Sequence, residues 1–491
     1  MIAIPREQFL MESTIPVVQE LHLQDGMFRI ADGAAFVLRG ALDASAAEIA
    51  SSLIRRFWNC EGAVTVAEVP ASLKEEEYYL EVAPDRIEVR ADTPAALRYA
   101  FSTLRQLAES ERGVLKSSYF QVSCLKVHDF PALGFRGIHF CWFPETTAVD
   151  MEKQIRMAAY CKFNYAVVEP WGVFPFRSRP EFGWEDKKVP LETFRRLVRL
   201  GRELGIRLIP QVNIFGHAAA SRCGSGKHAM LNRHPEFAPL FEADGWSWCL
   251  SNPETRKFLT DICLEIFEVF ERPEFFHVGC DEAYNAGTCS LCAQTDYPKL
   301  FTEHLLYFRD LFRSRGARIM MWHDMLLDRA DHRWDGFICC GTGVLSELYK
   351  TLPKDIVICD WQYRFAQNED GSNREDWVTS EFFHDAGFDT LTCPFDVDQQ
   401  ILSVGRHAAK YGQFGLLQTT WHLVHRKDYS YYDHGGCAGW NPEKGATRFM
   451  AVRREGYNRY LREVTQDMGL WDYTDLGHHH YQVIPYSYQG S

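Results

Sequence analysis

The sequence predicts an α/β protein: a (β/α)8 TIM barrel preceded by a small α/β domain. Three observations carry the prediction. From about Phe135 the chain alternates short apolar runs with amphipathic helical patterns, and eight such runs can be counted. Continuous apolar strands separated by helices imply a parallel sheet, and eight over this length imply a closed barrel. No glycine-rich phosphate loop follows any run, which leaves a doubly wound open sheet as the runner-up. The 491 residues divide into an expected first domain, 1–130, and a barrel with a C-terminal tail, 131–491.

In the first domain, Tyr78–Val82 and Ile87–Arg90 alternate polar and apolar residues around a Pro84-Asp85 turn, a hairpin signal. Asp92-Thr93-Pro94 then supplies a helix cap and a proline suited to the first turn. The helix it opens carries Leu97, Phe101, Leu104 and Leu107 at helical spacing. Nothing in this domain looks chemical, and its Glu75-Glu76-Glu77 run reads as a solvated face.

The eight expected barrel strands are Phe135–Cys141, Tyr165–Glu169, Ile206–Asn213, Phe275–Asp281, Arg318–Trp322, Ile356–Trp361, Thr390–Phe395 and Gly415–Trp421. Barrel chemistry sits at the C-terminal ends of the strands, so polar residues there are candidates. The fourth run, Phe275–Glu282, ends on adjacent carboxylates, Asp281 and Glu282. Two acids in one pocket cannot both ionise freely, and that is one way a carboxyl is kept protonated as a general acid. The other strands bring Arg136 and His139, Glu169-Pro170-Trp171, Asn213 leading to His217, Trp322-His323-Asp324, Asp360-Trp361-Gln362-Tyr363, Asp396, and Trp421-His422. Each Trp taken alone reads as core. Trp322, Trp361 and Trp421 together, with polar neighbours, suit the walls around a pyranose ring.

Bulk composition narrows the class. Hydrophobic residues make up 46% and charged residues 24%, ordinary for a globular protein with a sizeable core. A net charge of −13 argues against nucleic acid or an anionic membrane as partner. The start, Met1-Ile-Ala-Ile-Pro-Arg-Glu, shows no basic head followed by an apolar run, and the 15 Cys are scattered. The expectation is a cytoplasmic, bacterial-type protein with mostly reduced thiols.

These motifs resemble those of the family 20 glycoside hydrolases, the β-N-acetylhexosaminidases. Phe135-Arg136-Gly137 resembles the family's first-strand Arg-Gly, and Lys162-Phe163-Asn164 its Lys-x-Asn. Ile209–Ala218 is similar to its Ile-Pro-Glu-Ile-Asp-x-Pro-Gly-His-x, and His277–Glu282 to its His-x-Gly-Gly-Asp-Glu. The first domain resembles the small domain that precedes the family's barrel.

The resemblance implies substrate-assisted retention, in which the 2-acetamido oxygen attacks C1 to give an oxazolinium-type intermediate, an exception to the two-carboxylate scheme. It implies that Asp281 accepts the acetamide N–H and that Glu282 is the general acid and then base. Arg136 would hold glycone hydroxyls, and His217 would sit near the acid, oriented by Glu169. Trp322, Trp361 and Trp421 would enclose the sugar, with Asp324 and Asp396 among the substrate-binding groups. The partner would be a glycan with a terminal β-N-acetylhexosamine, and the reaction would need no cofactor.

The chain departs from the family pattern at three places. Asn213 stands where the family often has Asp. Phe395 occupies the region of a family Tyr that hydrogen-bonds the acetamide oxygen, which makes Tyr363 the substitute. The eighth strand reads Trp421-His422-Leu423 where the family places a carboxylate that grips O4. Losing that group alters recognition at the atom that separates GlcNAc from GalNAc, so a preference for β-linked GalNAc is expected.

A possible second site follows the catalytic pair. Cys289-x-x-Cys292 and Cys223, with His228 or Cys249, have the donor types of a tetrahedral structural zinc; buried reduced thiols are the competing reading. Two other functional readings stay open at this point. One is a two-carboxylate retaining glycosidase whose nucleophile is Glu169 or Asp324. The other is a sugar-binding protein on the same scaffold without catalysis.

Overall fold

The computed structural model describes residues 5–115, 118–144, 146–183, 187–218, 230–243, 245–368, 370–421 and 429–445. The chain forms two compact units. The first takes the residues up to Gly134 together with Arg156–Phe163 and the segment from Tyr432; the second holds Phe135–Ile155 and Asn164–Tyr431.

Six strands build the first unit: β1 (Glu20–Ile30), β2 (Ala35–Gly40), β3 (Ala63–Glu68), β4 (Tyr78–Val82), β5 (Ile87–Ala91) and β6 (Phe120–Asp129), in the order β1-β6-β4-β5-β2-β3. The expected hairpin is the antiparallel β4–β5 pair, with Leu80 opposite Val89. The helix Pro94–Leu115 starts where Thr93 Oγ1 accepts the Ala96 N–H at 3.1 Å. Its predicted stripe, Leu97, Phe101, Leu104 and Leu107, is fully buried in the core of this unit.

Lys162, from the Lys-x-Asn segment, has a structural role in the same unit. Its Nζ lies 2.7 Å from Asp129 Oδ2 with both side chains sealed from solvent. Tyr78 donates its hydroxyl to that oxygen at 2.6 Å, and the Trp440 indole N–H donates to the other at 2.8 Å. A buried ion pair is tolerated only when its remaining lone pairs are filled in this way.

The second unit is the barrel. Its strands are β7 (Phe135–Trp142), β8 (Tyr165–Pro170), β9 (Arg207–Pro210), β10 (Phe275–His277), β11 (Arg318–Trp322), β12 (Val357–Trp361), β13 (Thr390–Cys393) and β14 (Gly415–Gln418). All neighbours pair in parallel, in the order β10-β11-β12-β13-β14-β7-β8-β9. The seam between β9 and β10 is joined by a parallel bridge, Gln211 to His277, and by the Val212 N–H on the His277 carbonyl at 3.0 Å. Phe135, Val167, Ile209, Met320, Val357 and Leu391 fill the interior. The helices between strands bury one apolar stripe each; Leu191–Leu204 buries Phe194, Leu197 and Val198. Among the described residues no helix is long and apolar enough to cross a membrane.

All eight strands lie where the sequence places them, but four of them are shorter at the end that carries chemistry. β9 stops at Pro210 rather than Asn213, β10 at His277 rather than Asp281, β13 at Cys393 rather than Phe395, and β14 at Gln418 rather than Trp421. In the β10 case the cause is backbone conformation. Gly279, Cys280 and Glu282 have φ of 67°, 78° and 48°, which a strand cannot accommodate.

Candidate active site

The carboxylate pair therefore sits on a contorted turn beyond β10 rather than on a strand. Two close approaches lock that turn. A Cβ on Gly279 would fall on the Asn213 amide, and one on Gly216 would fall on the Asp281 carbonyl oxygen. Only glycine lets the loops after β9 and β10 interlock in this way. His217, Cys280, Glu282 and Trp421 are non-glycine residues with φ between 46° and 78°. Such conformations cost of order 1–3 kcal/mol each and gather where function requires the geometry.

Asp281 is almost fully buried, with 5% of its surface exposed. Asn213 donates its amide N–H to Asp281 Oδ1 at 3.3 Å, and Gln211 in turn donates to Asn213 Oδ1 at 3.0 Å. This explains Asn at a position where an Asp would set a second negative charge against Asp281. His217 Nε2 spans the pair, 3.3 Å from Asp281 Oδ2 and 3.0 Å from Glu282 Oε2. Tyr284 donates its hydroxyl to Glu282 Oε1 at 2.7 Å, and the Trp246 indole N–H holds the Glu282 carbonyl at 2.5 Å. With 30% of its side chain exposed, Glu282 is the more accessible acid.

Asp324 requires a correction. The sequence reading makes it a substrate contact, but it is fully buried. Its Oδ2 accepts the Glu282 N–H at 2.9 Å and its Oδ1 the Trp361 indole N–H at 3.1 Å. Burial first, and the Asp281 charge second, push its carboxyl up to about 6. Asp324 is thus a positioning group behind Glu282.

Arg136 is corrected as well. Barrel strands alternate faces, and the interior positions of β7 are marked by Phe135 in the core and by His139, whose ring lies 4.7 Å from that of Trp421. Arg136 shares its face with Trp142, which packs at 4.5 Å on Phe194 of the surrounding helix Leu191–Leu204. A guanidinium on the outer face of β7 is not placed to hold a sugar in the barrel mouth. What faces inward is His139, which the sequence reading passed over without a role. Neither of its ring nitrogens makes a hydrogen bond among the described residues, and Nε2 lies 3.5 Å from Glu169 Oε2. Glu169, nearly sealed, also receives the Cys141 thiol at 3.7 Å.

The aromatic set is continuous. Trp361 and Tyr363 are 5.1 Å apart by ring centroid, Trp322 and Trp421 are 5.3 Å apart, and the Trp421 indole N–H donates to the Tyr363 hydroxyl. Trp322 is fully buried beneath Trp421 and against His277, so it forms the floor of the site rather than an exposed wall. Burial raises the Tyr363 hydroxyl well above its ordinary range, which keeps it a donor. Asp396 stands exposed at the rim, 2.5 Å from Arg364.

Of the expected metal set, Cys289 and Cys292 converge with Cys249, while Cys223 and His228 lie outside the described residues. The sequence reading also missed Tyr284 and Trp246, which carry no periodic signal and are recognisable only once the loops are folded.

Comparison with known proteins bears on both units of the chain. The family model "Glycosyl hydrolase family 20, catalytic domain" matches residues 191–381, and "Glycosyl hydrolase family 20, domain 2" matches residues 11–130. The chain is 26% identical over 238 residues to the chitooligosaccharidolytic beta-N-acetylglucosaminidase of Ostrinia furnacalis, a match covering 43% of this chain and 38% of that protein. It is 24% identical over 276 residues to the beta-N-acetylhexosaminidase of Cellulomonas fimi, covering 51% of each. The matches thus span between about a third and a half of these relatives' own length. The fold is that of the GH20 exo beta-N-acetylglucosaminidase of Vibrio harveyi, with a TM-score of 0.67 and 16% identity over 92% of this chain and 77% of that one. The GH20 beta-N-acetylhexosaminidase of Streptomyces coelicolor A3(2) superposes with a TM-score of 0.64 and 14% identity over 93% of this chain and 97% of that one. With both of the family's domains matched in order along well over half its length, the chain belongs to glycosyl hydrolase family 20.

Proposed function

We propose that this protein removes terminal β-linked N-acetylhexosamine by substrate-assisted retention, with GalNAc preferred over GlcNAc. The observation that carries the reading is the division of labour between the two carboxylates. Asp281 is buried and anchored by Asn213, as suits a group that orients an acetamide and stabilises positive charge beside it. Glu282 is more open and is hydrogen-bonded on each oxygen, by His217 and Tyr284, as suits a group that trades a proton with the leaving oxygen and then with water.

In this mechanism the acetamide oxygen attacks C1 as Glu282 protonates the departing glycosidic oxygen. Asp281 accepts the acetamide N–H and offsets the charge of the oxazolinium ring. Water then attacks C1, Glu282 takes its proton, and the acetamide is restored. Tyr363, whose ring lies 5.2 Å from that of Phe395, is the donor to the acetamide oxygen in place of the family's seventh-strand Tyr. His139 supplies a polar group for a sugar hydroxyl from the barrel side.

The GalNAc preference rests on the sequence that follows the eighth strand, where Trp421 is followed by His422 and Leu423 with no carboxylate. Initial rates on paired aryl β-GalNAc and β-GlcNAc substrates test it, and equal rates or faster GlcNAc release would remove it. A thiazoline mimic of the oxazolinium should inhibit competitively. An enzyme indifferent to that mimic would point to a protein nucleophile instead.

A further inference from the structure

We propose that Cys249, Cys289 and Cys292 bind one zinc ion, and that this ion ties together the two loops that hold the catalytic acid in place. The metal-binding part stands on the thiol geometry alone, and the effect on turnover rests on the activity proposed above.

The three sulfurs converge from two separate loops. Cys249 Sγ lies 3.4 Å from Cys289 Sγ and 3.6 Å from Cys292 Sγ, and all three ligand atoms fall within 4.8 Å of one another. Zinc–sulfur bonds of about 2.3 Å in a tetrahedron set sulfur atoms about 3.8 Å apart, close to this spacing. A disulfide needs about 2 Å, and every cysteine among the described residues is a free thiol. The Cys292 N–H points at Cys289 Sγ from 3.4 Å, a hydrogen bond that favours a thiolate at the head of the Cys-x-x-Cys turn.

The surroundings are those of a cation site. Glu242 is buried, 1% exposed, with its carboxylate against Cys292. Its oxygens accept the N–H groups of Gly287 at 3.0 Å and Cys289 at 2.6 Å and the Thr288 hydroxyl at 3.4 Å. Among the described residues no Lys or Arg pairs with it. Among the described residues the buried Glu242 carboxylate has no basic side chain to balance it, and a divalent cation held by the neighbouring thiolates would offset that charge. Glu242 stands beside Cys292 as a buried countercharge to such a cation. Soft thiolate donors select zinc over the hard cations. On binding, each coordinating thiol gives up its proton to solvent.

The tie reaches Glu282 through short connections. Along Trp246-Ser247-Trp248-Cys249, the Trp246 indole holds the Glu282 carbonyl, Ser247 donates to Asn285 at 2.8 Å, and the Trp248 indole holds the Asn213 carbonyl at 2.9 Å. Cys249 closes the same segment onto Cys289 and Cys292.

Metal analysis of the reduced full chain, purified without chelator or an immobilised-metal column, should find about one zinc per chain. The Cys249→Ser/Cys292→Ser double variant should carry less than about a tenth of that. Cobalt(II) exchanged into the wild-type protein should give thiolate-to-cobalt charge-transfer absorption, which separates this site from the sulfur-free group His217, Asp281 and Glu282. Stripping zinc with a chelator, with circular dichroism unchanged, should lower kcat about tenfold and leave KM within about twofold. Wild-type protein that contains no zinc and takes up neither zinc nor cobalt overturns the proposal, as does metal retained in full by the double variant. Zinc bound without hydrolysis of any hexosaminide would sink the activity reading while leaving the site standing. Hydrolysis by a metal-free protein would do the reverse.

Discussion

Replacing Asp324 by Asn separates stability from catalysis at one buried carboxyl. The group titrates near 3.8 when unfolded and is pushed up to about 6 in the native protein. Below about pH 4 both states hold the proton. Between the two values the native state keeps it while the unfolded chain gives it up, so stability falls as pH rises through this window and levels off above about 6. Two units at 1.36 kcal/mol each make the swing about 3 kcal/mol. The amide in Asp324→Asn does not titrate, so this component vanishes. Against it stands a constant loss of about 1–2 kcal/mol, because the amide cannot accept from both Glu282 N–H and Trp361 N–H. The variant should therefore be less stable than the wild type near about pH 4 and equal or more stable near about pH 7.5. Urea unfolding across that range, followed by tryptophan fluorescence, reads the difference directly. Turnover should fall about tenfold at every pH, since one of the two bonds that fix Glu282 and Trp361 is lost. Parallel stability curves would refute the reasoning, because they would mean that Asp324 does not carry the burial cost assigned to it.

Other changes probe separate parts of the account. Lys162→Met leaves the Asp129 carboxylate buried without its cation and should cost about 3–5 kcal/mol in denaturant unfolding. Gly279→Ala forces a methyl group onto Asn213 and should reduce kcat at least about a hundredfold even where the protein folds, as checked by circular dichroism and steady-state kinetics. His139→Phe keeps the ring contacts with Trp322 and Trp421 but removes both ring nitrogens; KM for the aryl hexosaminide should rise about tenfold, and an unchanged KM would return the sugar hydroxyls to another residue.

The architecture was legible because barrel strands are buried on both faces and read as plain apolar runs bounded by helices. The same property hid Arg136. When both faces of β7 are buried, alternation gives no sign of which face is the barrel interior, and only the packing of Phe135 and Trp142 decides it. Asp281 and Glu282 stood out as adjacent acids, yet the strand assigned to them stops at His277 because left-handed backbone at Gly279 and Cys280 breaks the ladder. Asp324 showed as a polar residue at a strand end, and nothing in its neighbours told that both its oxygens are consumed inside the protein. Cys249 lies 40 residues before Cys289, and no spacing rule links them until the loops fold.

The most direct test of the central claim is hydrolysis of an aryl β-GalNAc substrate by the wild type, Asp281→Ala and Glu282→Gln, beside the β-GlcNAc epimer. The wild type should turn over both epimers, GalNAc faster, and each variant should lose at least about a hundredfold with the fold intact. Substrate bound but never cleaved by the wild type, or hydrolysis undiminished in either variant, would contradict that claim.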